Sequence, residues 1–422
     1  MLGLADQAVA SGSNFFTIIL LGRTVSPASF GYFVLAFTLL QSAGAVQSAL
    51  ITRPHNVLGA LRQGDDYVRY TTAAAFLQIV YAACWFILLV VCAAGARAAG
   101  SPSATLFLLA APAALAWQLQ EFARRVLYTE GRLHIALLDD LLSYGGQIAV
   151  LLWLSASGAL TGPRALLVVI GTSAVAALAA VPLLHRSIGR EIERGDILAN
   201  WRFGRWLGAA EVAYWLASQS YIYMGGLFVG PVVSATLKAA QTLLGPVSVF
   251  LAFFVNYLPT VFARSAAGAR GGLSRRMRLG FLSTVPATAL YAVPAIVFAP
   301  RLLSLVYGEE YHRDAAVVRL FAVYYLVLSI SDVFVAALAA QGRTRRIFGG
   351  HLVGAAITFA VGWLLLVQWH APGGAVGMIV SLVGALAVFV RGFRSSPGGV
   401  RSHPRDDDSA DAATSAKLLP RR

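Results

Sequence analysis

Apolar residues run along this chain in stretches too long for a soluble helix and too continuous for alternating strands. Segments rich in Leu, Ala and Val lie at about 2–22, 30–52, 71–95, 104–123, 136–157, 164–184, 207–229, 233–257, 279–299, 316–340, 347–369 and 373–391. A helix needs about 20 apolar residues to cross a bilayer, whereas barrel strands appear as alternating stretches of about ten. The pattern therefore predicts an all-α integral membrane protein with about twelve transmembrane helices. The first segment holds Asp6, Gln7, Ser11, Ser13 and Asn14 and no Lys or Arg precedes it. It reads as a helix of the mature protein, not as the plainly apolar core of a signal peptide.

Composition agrees. Of 422 residues, 58% are hydrophobic and 12% charged, about half the charge that coats a soluble domain. A multidomain cytosolic enzyme is excluded. The net charge of +14 would point to nucleic acid in a soluble domain, but here the basic residues sort by side. Alternate connections and the tail, beginning with Arg53, Arg62 and Arg69 and including Arg264 and Arg270, hold 26 of the 33 Lys and Arg. By the positive-inside rule both termini are cytoplasmic. The basic excess is topology, and no nucleic-acid partner is expected.

Several chemistries drop out. Cys84 and Cys92 share one apolar run and offer neither a disulfide framework nor a metal site. No GxxxxGK[ST] is present, and Lys238 and Lys417 are the only lysines, so the chain hydrolyses no ATP. Residues 392–422, rich in Ser, Pro, Gly, Arg and Asp, read as a disordered cytoplasmic tail. Asp407, Asp408 and Asp411 form a DDxxD pattern there, read as a solvated acidic run.

The chain also repeats itself. Asp6, Ser13, Asn14 and the Ser26-Pro27 pair are echoed by Glu211, Ser218, Gln219 and Gly230-Pro231, at offsets of 205 and 204 residues. Glu121 followed by Glu130-Gly131-Arg132 is echoed by Asp332 followed by Gln341-Gly342-Arg343, at an offset of 211. Two six-helix bundles follow, residues 1–184 and 207–391, joined by a cytoplasmic linker at 185–206. Six is even, so the pseudo-two-fold axis runs along the membrane normal. Two lobes facing a cleft make an alternating-access architecture. At 100° per residue Asp6, Ala10, Ser13, Asn14 and Thr17 share a face about 100° wide. Glu211, Trp215, Ser218 and Gln219 form the matching face, and both stripes are expected to turn inward.

The run Leu20-Leu21-Gly22-Arg23-Thr24-Val25-Ser26-Pro27-Ala28-Ser29-Phe30-Gly31-Tyr32 resembles the LARxLSPxxFGxY connection of polysaccharide flippases in the multidrug, oligosaccharidyl-lipid and polysaccharide exporter superfamily. Leu302-Leu303-Ser304-Leu305-Val306-Tyr307-Gly308-Glu309-Glu310-Tyr311 is similar to that family's LLxLLFGxxY. The resemblance covers nearly the whole chain. It implies movement of a lipid-linked oligosaccharide, usually on undecaprenyl diphosphate, across the bacterial inner membrane, with a polysaccharide polymerase and glycosyltransferases as partners. Two departures stand out: twelve helices where some flippases of the superfamily have fourteen, and no obviously cationic lumen.

An ionisable group at the bilayer centre costs about 2.5–3.5 kcal/mol on insertion scales, so each needs a reason. Lys238 lies seven residues past Pro231, roughly 10 Å from the outer interface. It either attracts a phosphate or carboxylate in the cleft or snorkels to the headgroups. Asp332 is too short to snorkel; it or its repeat partner Glu121 is a candidate to bind a coupling proton or sodium ion. Arg124 and Arg125 follow Glu121 at i+3 and i+4, where they either pair with it or meet a diphosphate from the cytoplasmic side. Asp6 and Glu211, near the inner face, suit gating or capping. Asn14 and Gln219 suit hydrogen bonds to sugar hydroxyls or between helices. Arg53 at the inner rim is a cargo contact or an anchor. The seven histidines show no metal spacing, and no cofactor is expected. An ion-coupled multidrug antiporter of the same superfamily is the alternative function. A membrane-embedded glycosyl or acyl transferase is the weaker one, because the longest loop, 185–206, is short and basic.

Overall fold

The computed structural model describes residues 2–251, 254, 258, 262, 272–341 and 343–394. Arg264, Arg270, Gly342 and the tail with Asp407, Asp408 and Asp411 lie outside the described residues, as does much of the end of the segment expected at 233–257.

Among the described residues every regular element is helical. In chain order they are α1 Leu2–Thr24, α2 Pro27–Leu61 and α3 Gly64–Ala98, α4 Ser103–Thr129, α5 Leu133–Ala156, α6 Gly162–Leu184 and α7 Arg194–Ser218. There follow α8 Ser220–Val229, α9 Pro231–Leu243, α10 Gly272–Tyr307, α11 Ala315–Ala340, α12 Thr344–Ile357 and α13 Trp363–Arg394.

The boundaries follow local chemistry. Ser26 caps α2 by accepting from the Ser29 amide, with Pro27 at the first helical position, where its missing N–H costs nothing. Helix α4 ends where Gly131 takes a φ of 71°, a left-handed turn that glycine enters without a Cβ penalty. The Arg132 amide then donates to the Leu127 carbonyl at 2.9 Å, and 211 residues on, the Arg343 amide donates to Leu338 at 2.9 Å. The two echoed turns close with the same bond.

Eight helical stretches among the described residues are long and apolar enough to cross a membrane. Five of them match the expected second to sixth segments, and two the ninth and tenth. The eleventh and twelfth fall within one stretch, Arg345–Arg394, broken at His370, where φ is 52°. The expected first, seventh and eighth segments also carry helices but are not among the eight. In α1 and α7 polar residues dilute the apolar run. The last helix reaches Arg394, three residues beyond the expected 391.

Helix α4 packs between α3 and α6 and against α2, while α11 joins α10 to α13 and α13 joins α12. The earlier and later parts of the chain meet where α2 and α1 lie on α9, where α1 touches α10, and where α7 crosses α2. Ile79, Ile87 and Val91 on α3, and Leu290 and Val297 on α10, face outward. Water would not tolerate an apolar surface of this extent without aggregation; lipid does.

Candidate functional site

Where α1, α2, α7, α9 and α11 converge they leave a cavity of about 560 Å³. Asn14, Gln219 and Lys238, singled out separately from the sequence, all line it. The polar stripe of α1 splits in two. Its inner edge bonds to neighbouring helices: Ser13 donates to the Tyr144 carbonyl at 3.2 Å and Thr17 accepts from Gln147 at 2.9 Å. Asn14, one position round, faces the cavity.

Among the described residues Lys238 is the only charged one in the lining. Its Nζ donates to Gln241 Oε1 at 3.1 Å and to Gln41 Oε1 at 3.5 Å. The ammonium is thus held among neutral amides inside the protein. A part-buried charge without a counter-ion is poorly compensated and favours any anion that enters. Gln219 Oε1, in the same lining, is buried and has no partner among the described residues, an acceptor left open for a hydroxyl or amide donor. Trp215, Tyr324 and Tyr325 supply apolar faces. Sequence reasoning missed Gln41 and Gln241; Gln41 was visible as an isolated amide in an apolar segment, and Gln241 as a neighbour of Lys238 at i+3.

Arg124 and Arg125 lie elsewhere, in a buried cluster between α1, α4 and α5. Arg124 Nη1 pairs with Asp6 Oδ2 and with Asp140 Oδ2, both at 2.9 Å. Its Nη2 pairs with Glu121 at 2.7 Å, and Arg125 Nε pairs with the same carboxylate at 2.8 Å. Tyr128 donates to Asp6 as well, and Gln120 to Asp140 at 3.2 Å. The i+3 and i+4 pairing read from the sequence is present, and the guanidinium of Arg124 is fully engaged. Asp139 and Asp140 escaped sequence reasoning, although two adjacent acids in an apolar segment carry the same signal as Asp332.

Asp332 behaves differently from its repeat partner Glu121. On α11 it sits one turn beyond Leu328, which lines the cavity, and close to Tyr214 and Tyr324. Among the described residues its carboxylate has no ion pair or hydrogen bond. Arg53 and Glu211 meet each other instead of the cavity, with Nη1 and Oε2 3.7 Å apart across the crossing of α2 and α7.

Sequence comparison finds no matching family model and no matching curated protein. Folds do match. The structure described as lipid II flippase MurJ in an inward closed conformation aligns with a TM-score of 0.74 and 12% identity, over 94% of this chain and 88% of that one. An inward-facing multidrug resistance MATE transporter of the MOP superfamily aligns at 0.65 and 14%, over 92% and 94%. This chain shares the fold of these two structures. A MOP superfamily transporter from Pyrococcus furiosus, whose description notes a reversed polarity of the binding pocket, aligns at 0.60 and 15%, over 92% of each chain. All three neighbours are described as a flippase or as transporters.

Proposed function

We propose that this protein flips a lipid-linked oligosaccharide across the bacterial inner membrane by alternating access, for assembly into surface polysaccharide. The observation that carries the reading is the cavity lining: one ammonium, Lys238, set among amides and aromatic rings, with no carboxylate among the described lining residues. A diphosphate finds its counter-charge at Lys238, and sugar hydroxyls find Asn14, Gln219 and Gln241. Sugar faces stack on Trp215 and Tyr324. A cationic drug would meet a like charge and be repelled. The carrier is of the undecaprenyl diphosphate type, and the polymerase and glycosyltransferases of the same polysaccharide are the expected partners.

In this reading the chain forms two lobes of six helices, related by an axis along the membrane normal, with both termini in the cytoplasm. Helices α1 and α7 cross despite their polar residues because their polar edges face protein and cavity instead of lipid. Removing the gene should leave lipid-linked sugar on the inner leaflet and strip surface polysaccharide. Unchanged levels of both would refute the proposal.

The multidrug antiporter reading keeps one supporting observation, the unpartnered carboxylate of Asp332 next to the cavity floor. Under the flippase reading the same carboxylate is the candidate carrier of a coupling proton or sodium ion. Efflux of a cationic dye from vesicles separates the two, since only the antiporter moves it.

A further inference from the structure

Helix α7 has two edges with opposite chemistry. Asp196, Asn200, Gly204 and Gly208 recur every four residues and are buried. That edge is fastened to α2 and α3. Arg62 and Arg69 pair with Asp196 at 2.5 and 3.1 Å, Asn200 donates to the Leu50 carbonyl at 2.8 Å and accepts from Tyr70 at 3.0 Å, and Leu50 lies against both glycines.

The opposite edge is exposed. At 100° per residue, Trp201, Arg205, Leu198, Arg202 and Trp206 fall in that order within an arc of about 140°. All are exposed, Trp201 by 51% and Trp206 by 69%. The Arg205 guanidinium lies 5.7 Å over the Trp206 ring. Neither Arg202 nor Arg205 has an ion pair among the described residues. Two guanidiniums thus stand between two indoles on this exposed arc.

Each component of this arc selects the same occupant. Indoles settle at the headgroup level of a bilayer, with one edge apolar and the other wet. Guanidinium forks match phosphate oxygens in paired hydrogen bonds, and basic residues at the cytoplasmic surface are drawn to anionic lipid. We propose that residues 198–206 form a binding site for anionic phospholipid, with headgroup phosphates on Arg202 and Arg205 and the indoles of Trp201 and Trp206 at the acyl boundary. The inference rests on the topology proposed above, in which α7 enters from the cytoplasmic leaflet, and is independent of the cargo.

The test uses the full chain in vesicles of mixed phosphatidylglycerol and phosphatidylcholine, with one lipid or the other brominated to quench indole fluorescence. Subtracting the signal of W201F/W206F isolates the two tryptophans from the other six. The difference signal should be quenched at least two-fold more by brominated phosphatidylglycerol, and the preference should vanish in R202Q/R205Q. It should also vanish in the wild-type protein at about 1 M salt, where the Debye length is about 3 Å; this arm holds even if the variant folds poorly. Equal quenching by both lipids at low salt would mean unselective aromatic anchoring, and quenching by neither would place the arc away from the bilayer. Either result overturns the proposal. No cargo is present, so a failure here leaves the flippase reading to its own test.

Discussion

The ring of Tyr307 occupies the place that a side chain on Gly22 would take. A Cβ built on Gly22 falls 2.5 Å from Tyr307 Cδ1, and Arg23 beside it donates to the Leu305 carbonyl at 2.6 Å. Two stretches that resemble family motifs at opposite ends of the sequence are therefore one contact in space, closing α1 onto α10. Gly22→Ala should destabilise the protein by about 1–3 kcal/mol through overpacking. Adding Tyr307→Ala should recover part of that loss. Thermal unfolding in detergent gives both values, and strict additivity in the double variant would deny the contact.

Arg124 carries the buried cluster. Arg124→Ala leaves Asp6, Glu121 and Asp140 without their shared counter-charge, and breaking a buried pair in this way costs about 3–5 kcal/mol. The expected result is a sharp fall in folded protein recovered after extraction. Asp6→Asn should be milder, because Arg124 keeps two carboxylates.

Lys238→Met retains the length of the apolar stem and removes the charge. Folded protein should be undiminished. A hydrogen bond to a charged group is worth about 1.5–3 kcal/mol, so affinity for a phosphorylated cargo should fall roughly 10- to 100-fold. Full restoration of surface polysaccharide by this variant at native expression levels would remove Lys238 from the cargo path.

The Arg53–Glu211 pair is partly exposed, with 54% of the arginine side chain accessible, and should contribute under about 1 kcal/mol to stability. Its position across the two parts of the chain gives it more weight in conformational exchange. Arg53→Glu and Glu211→Arg should each slow transport, and the double exchange should restore it. Singles that transport normally would mark the pair as an ordinary surface contact.

Asp332→Asn removes a carboxylate that nothing compensates. Stability should stay level or rise, in contrast to Arg124→Ala, while transport should lose its response to an imposed proton or sodium gradient. Measuring initial rates with and without each gradient checks the coupling.

Helix positions were legible because lipid-crossing segments and their Ser-Pro and Gly-Arg boundaries are local signals. Partners were less so. The spacing of Glu121, Arg124 and Arg125 announced their pairing, since it lies within one helix. Asp6 and Asp140 complete that cluster from two other helices, and no spacing rule reaches 118 residues along the chain. The repeat also hid a difference: Glu121 and Asp332 occupy echoed positions, yet Val335 and Ala336 stand where the first copy has two arginines. Lys238 shows the same limit, because its depth was readable but the amides that hold it come partly from α2.

The pairing of Asp6 with Arg124 also constrains how the protein is made. Synthesis at about 5–20 residues per second delivers Arg124 roughly 6–24 s after Asp6, and Asp140 later still. Through that interval α1 carries a bare carboxylate and is not apolar enough to hold the bilayer by itself. In the topology proposed above, α1 therefore completes its insertion only once α4 and α5 arrive. The order in which helices emerge is not the order in which they settle.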